Sequence, residues 1–237
     1  MRLAATALLA LLVGCAAPQK LPSYRSPLVE APTQPLTPEG RPSGVAGMSS
    51  PDEGGAAISG GAPDVDGEKL AATAREYLGR KVIVAEGRRF PDECTGLVRA
   101  VYAAHGVDLF AEAEQDDSGV MAIWRYARRH GLLHRDHPQP GDLVFFSETY
   151  DRNRDGRPND GLTHVGIVDR VEPDGTVRVI HRVARGVVSY RMNVDHPTER
   201  ADAHGQVLND WLRMGKGPAS SKFAGELFAG YGSIVRR

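Results

Sequence analysis

The sequence predicts an α+β domain in which helices come first and an antiparallel meander follows. Between residues 67 and 131, apolar side chains recur at helical spacing in three separate runs. From Leu143 onward they fall instead into short β-branched and aromatic runs bounded by Gly-containing turns. Helices followed by strands, rather than alternating with them, is the pattern of an α+β layer with the helices against one face of a sheet. The 237 residues carry 30 acidic and 29 basic side chains, and no Lys/Arg-rich run is interleaved with aromatics. A nucleic-acid function therefore has no electrostatic footprint here.

Met1-Arg2 and the apolar run Leu3 to Val13 form a short charged start and a hydrophobic stretch too short to span a bilayer. The stretch ends in Leu12-Val13-Gly14-Cys15, which resembles the lipobox of bacterial lipoproteins. The resemblance implies a signal peptide over residues 1–14, cleavage before Cys15, and acylation of Cys15. Residues 15–66 are rich in Pro, Gly, Ser and Ala and poor in large apolar side chains, as in Gly54-Gly55-Ala56-Ala57-Ile58-Ser59-Gly60-Gly61. Such a segment buries too little surface to fold and is expected to be a disordered tether. Residues 67–237 have the length of one domain.

In that domain Leu70, Ala71, Ala74, Tyr77 and Leu78 mark a first helix stopped at Gly79. Residues 81–91 read as an irregular connection. Leu97, Val98, Val101 and Tyr102 mark a second helix from Cys94 to His105, closed by Gly106; Val120, Ile123, Trp124 and Ala127 mark a third, ended by Gly131. After the turn at Pro138-Gln139-Pro140-Gly141, Leu143-Val144-Phe145-Phe146 is a buried strand. Residues 163–171, 176–182 and 187–192 are three more, the first two joined through Pro173-Asp174-Gly175. A short last helix is expected over residues 223–228.

The chemistry centres on Cys94. With Cys15 consumed by lipid, the chain's other cysteine has no disulfide partner, and an unpaired thiol in an exported protein is a candidate nucleophile. Its place at a helix start is expected to favour the thiolate, through unpaired amides and the positive helix end. A cysteine hydrolase also needs an imidazole to move the proton and a polar group to orient it. His164 begins one strand and His181 ends the strand paired to it across the Asp174-Gly175 turn, so the two are expected side by side.

Glu93-Cys94-Thr95-Gly96-Leu97-Val98 resembles the Asp-Cys-Ser-Gly-Leu-Val nucleophile motif of the NlpC and CHAP cysteine peptidases. Pro140-Gly141-Asp142-Leu143 and His164-Val165-Gly166-Ile167 resemble two further motifs of that superfamily, in the same order. The resemblance implies a papain-like α+β fold and cleavage of peptidoglycan peptide amides, with Cys94 as nucleophile, His164 as base and His181 as its orienting partner. The expected setting is an exported, monomeric lipoprotein held by Cys15 to a bacterial membrane, the outer membrane facing the periplasm. Two alternatives stand on the same scaffold: a catalytically silent wall-binding module and an acyltransferase.

Glu93 and Thr95 depart from the family pattern conservatively. Residues 81–89 lack the Tyr near a Gly-Gly pair that the family often places before the nucleophile. Between Phe146 and Thr163 lies an insertion in which Asp151, Asn153, Asp155, the Arg157 carbonyl and Asn159 alternate around Gly156, as in a calcium loop. Leu162 stands where the closing Glu belongs. The chemistry requires no cofactor; a structural calcium in this loop is the expectation to test, against an ordinary polar turn.

Overall fold

The computed structural model describes residues 65–130, 133–217 and 220–234. The expected signal segment, Cys15 and the tether up to residue 64 lie outside them. Val65 is buried, and the Asp66 carboxylate accepts the amides of Glu68 and Lys69, so the folded part reaches two residues further upstream than the sequence suggests. That cap starts α1 (Gly67–Arg75), which buries Leu70, Ala71 and Ala74. Leu78, counted in its apolar stripe, lies beyond the helix and is 43% exposed.

Residues 81–91 are not an irregular connection. They form a hairpin, β1 (Ile83–Ala85) against β2 (Arg88–Phe90), turned at Glu86 and Gly87 with both φ positive. Ile83, Ala85 and Phe90 face inward, so the alternation is present in the sequence but too short to stand out. Then come α2 (Cys94–Ala103) and α3 (Gly119–Arg129), the latter capped by Ser118 on the Met121 amide.

The strands that follow are β3 (Leu133–His134), β4 (Leu143–Ser147), β5 (Leu162–Val171), β6 (Val177–Val183) and β7 (Gly186–Met192). After a long excursion come β8 (Trp211–Arg213), β9 (Lys222–Phe223) and β10 (Phe228–Gly232). The main sheet is antiparallel, in the order β3-β10-β4-β5-β6-β7. The expected helix over residues 223–228 is thus corrected: it is a single 3-10 turn, Gly225–Leu227, between two strands. Its apolar run is shorter than a stable helix needs, and β10 gains a full set of partners by entering the sheet between β3 and β4.

The sheet is buried on both faces. Leu143 and Phe145 point toward α1, α2 and α3, whereas Val144 and Phe146 join Val177, Met192, Leu227 and Tyr231 on the other side. That is why β4 reads as an unbroken apolar run rather than an alternating one. Arg75 of α1 is paired with the buried Asp169 of β5, at a bulge in the β5–β6 register, and Tyr102 of α2 donates its hydroxyl to the Gly141 carbonyl. Asp142 accepts the Gln139 amide and the Ser233 hydroxyl, tying the turn before β4 to the residues just after β10. Among the described residues no helix is long and apolar enough to cross a membrane.

Candidate active site

Cys94 is the first residue of α2. Glu93 before it is extended (φ −140°, ψ 176°), so the chain enters the helix abruptly at the cysteine. Gly96 permits this: a Cβ there would stand 1.9 Å from the Pro91 carbonyl oxygen, which crosses the first turn. The Glu93 carboxylate makes no capping bond to the helix amides. It accepts the Thr95 hydroxyl at 2.6 Å instead, so the two positions that depart from the family motif are bonded to each other.

His164 is held on β5 opposite Phe146 of β4. Across the other edge, Ile167 pairs with Ile180 and Val168 with Val179, which carries Gly166 opposite His181. A Cβ on Gly166 would lie 2.6 Å from Val179 Cγ1 and 3.1 Å from His181 Cβ. The missing side chain leaves room for the His164 ring to lean over residue 166 toward His181. His164 Nε2 and His181 Nδ1 are 2.7 Å apart with the rings close to perpendicular, and His181 packs in turn on the edge or face of Tyr190 at 4.5 Å between centroids. With Nε2 so engaged, Nδ1 is the nitrogen of His164 left for a substrate or a thiol.

Cys94 and His164 line one cleft of about 460 Å³, with Glu93, Tyr150, Thr163 and Arg182 around them. The backbone amides of Val165, next in chain to His164, of Thr95 and of Cys94 itself favour the charged form of the Cys94 sulfur. The three residues expected from sequence are therefore brought together, His181 through its bond to His164. Tyr150 and Arg182 belong to the cleft too, and no motif marked them. Tyr150 precedes Asp151, the first residue of the marked insertion, and Arg182 is the neighbour of His181; adjacency to marked residues was the available signal.

The electrostatics differ from expectation. Burial pushes the Cys94 thiol up to about 11; the Glu93 carboxylate adds to this, and the three amides only partly oppose it. Burial also pulls His164 down to about 4 and holds His181 well below its ordinary range, the latter further lowered by His164 and Arg185. The expected low-pKa thiolate is thus replaced by a neutral thiol beside a neutral imidazole pair. The helix end is outweighed because the sulfur is withdrawn from water and faces a carboxylate.

The insertion opens at the cleft rim, where Thr149 bonds Thr163. Within it, Asp151 accepts the Gly156 amide, Asn153 the Asp155 amide and Asp155 the Arg157 amide, while the Asn159 amide group bridges Asn153 and Asp155. Asp160 is buried and takes the Arg152 and Asn153 amides. Asp151 Oδ1 is buried without a hydrogen-bond partner. Among the described residues no three His, Cys, Asp or Glu side chains are grouped as metal ligands, so any ion would rely on the two asparagines and the Arg157 carbonyl as well.

Residues 85–182 match the CHAP domain family, a span that includes Cys94, His164 and His181. Comparison with curated proteins finds no match. Among solved structures, an NlpC/P60 family protein from Bacillus cereus is similar at 18% identity over 74% of this chain and 42% of that one, with a TM-score of 0.37. NlpC1 from Trichomonas vaginalis is similar at 24% identity over 52% and 38% (TM-score 0.34), and Ly7917 at 20% over 54% and 56% (TM-score 0.36). The chain thus spans between about two fifths and just over half the length of these structures. The CHAP match over residues 85–182 thus runs from the end of β1 through α2, which begins at Cys94, to the strands that carry His164 and His181, and this segment of the chain is similar to the CHAP domain family.

Proposed function

We propose that the domain hydrolyses peptide or amide bonds of peptidoglycan, with Cys94 as nucleophile, His164 as general base and His181 as the positioning residue. The observation that supports this most is the hydrogen-bonded pair His164–His181 beside a cleft that also holds the Cys94 sulfur. The Cys94 thiol passes its proton to His164 Nδ1 as sulfur bonds to the carbonyl carbon. The developing oxyanion faces the amides at the start of α2. Collapse expels the amine, which takes the proton back from His164, and water then cleaves the thioester by the same route in reverse. His181 accepts from His164 Nε2 and so keeps Nδ1 free for this traffic.

The test is digestion of defined muropeptides with product masses. The full chain should release new amine and carboxylate termini, Cys94→Ala should release none, and no difference between the two would overturn the reading. If a stable acyl group is found on Cys94 and is passed to an amine in place of water, the acyltransferase alternative holds instead.

The lipid anchor at Cys15 and an exported, membrane-tethered location are part of the same proposal, resting on the lipobox-like Leu12-Val13-Gly14-Cys15. Calcium in residues 151–159 is proposed as well. Its support is the unpartnered Asp151 Oδ1 in a loop already curled around Gly156 (φ 77°), the position where calcium loops turn sharply. With no closing Glu, binding should fall near 0.1 to 1 mM, roughly the range of extracellular modules. Calcium should raise the melting temperature of the full chain but not of Asp151→Ala; an unchanged melting temperature in both would overturn it.

A further inference from the structure

Beside α2, away from the Cys94 cleft, two arginines line one pocket. Arg99 of α2 lays its guanidinium 3.7 Å from the centroid of the Phe110 ring and 5.9 Å from that of Phe90. Arg88 of β2 stands 4.5 Å from the centroid of the same Phe90 ring, so two cations share one aromatic side chain. Among the described residues neither is in an ion pair, and Arg99 Nε is buried without a hydrogen-bond partner. They form one side of a pocket of about 160 Å³ whose other side is Gly106, Val107 and Asp108. Asp108 is the nearest acid, but one of its oxygens accepts the Phe110 amide at 2.9 Å and it pairs with neither arginine.

Two like charges side by side are unfavourable, and a buried N–H left unpaired adds to the cost. Contact with the rings takes up part of each guanidinium's face and leaves N–H groups for a ligand. Such edges suit tetrahedral or planar oxyanions bound through paired hydrogen bonds. The two guanidiniums outweigh the one Asp108 carboxylate in the pocket, and together they offer more N–H groups than the two oxygens of a carboxylate accept, which favours the three oxygens of a phosphate group. We propose that Arg88 and Arg99 form a binding site for a phosphate monoester group in its dianionic form. The site is separate from the Cys94 cleft and does not depend on the hydrolase reading.

Calorimetric titration of the full chain with inorganic phosphate and with glycerol 3-phosphate, at constant ionic strength, tests it. A phosphate monoester's second pKa is about 6 and that of inorganic phosphate somewhat higher, so both ligands should bind at least tenfold more tightly at about pH 8 than at about pH 5. Sulfate, doubly charged at both values, should show no such difference. Arg88→Gln, on an exposed hairpin position, and Arg99→Gln should each weaken binding about tenfold or more. No heat up to about 10 mM ligand, equal binding in the Arg88→Gln protein, or loss of the pH difference would overturn the site. Glycerol 3-phosphate binding as tightly as the inorganic ion supports an esterified group; binding of the inorganic ion alone overturns the monoester assignment.

Discussion

Cys94 and His164 both rest uncharged, and this sets what pH does to each. A thiol pushed up to about 11 should react with iodoacetamide along a curve centred above the free thiol's value of about 8.5. His164→Gln should move that curve by less than about one unit while removing turnover, because no charged pair exists at rest to be broken. A curve centred below about 7 that collapses in His164→Gln would identify a preformed thiolate and imidazolium, and would sink this account. With His164 as the proposed base, turnover needs it unprotonated, so the acid limb should fall near 4 rather than near 6.5. The same shift bears on stability: the unfolded chain binds a proton at His164 near 6.5 and the folded one only near 4. Between those values the unfolded state holds more protons, so stability should fall as pH drops through this window, by roughly 3 kcal/mol for His164. That Cys94, His164 and His181 would stand together was legible in the sequence, because the order of the motifs and the pairing of β5 with β6 place them so. Their charge states were not. A helix-end argument sees the amides of residues 94–96 but not the walls that β5 and Glu93 place around the sulfur.

The hairpin β5–β6 sets the reach of the histidine pair, and Gly166 is where that reach is vulnerable. Gly166→Ala would bring a methyl group to 2.6 Å from Val179 Cγ1 and 3.1 Å from His181 Cβ, forcing the two strands apart or the His164 ring aside. Overpacking of this kind costs about 1 to 3 kcal/mol, and turnover should fall by more than the stability loss alone predicts, because the 2.7 Å contact opens as well. A variant that melts lower but keeps full turnover would show that the histidine contact tolerates the methyl. At this scale legibility followed length. The ten residues of β5 and the eleven of α3 declare their periods, whereas the three-residue strands β1 and β2 carry one alternation each and pass for loop. The expected helix over residues 223–228 failed for a related reason: Phe223, Leu227 and Phe228 have helix-like spacing, but the sheet offered β10 an open place between β3 and β4 that no local pattern announces.

At the scale of the whole molecule, the sheet is sewn together out of chain order, with β10 between β3 and β4. Tyr231 and Ile234 are fully buried, so ending the chain after residue 227 removes two core side chains and leaves β4 with a bare edge. Such a protein should lose its cooperative melting transition; a normal transition would mean that β10 is an ornament on a sheet complete without it. The helix-then-meander architecture was readable from the change in periodicity near residue 140, but this insertion was not, since sequence neighbours usually pair and β10 does not. The placement has a further consequence for how the protein is made. Residues 228–232 follow β4 to β7 in the chain, so whether the chain emerges from a ribosome or from a translocation channel, β4 to β7 are free to pair before β10 arrives. Through that interval the nascent chain carries His164 and His181 on a sheet with an unprotected edge, open to association with other chains. A chaperone that shields strand edges should therefore matter most before β10 arrives, and the finished sheet should appear only when β10 has docked.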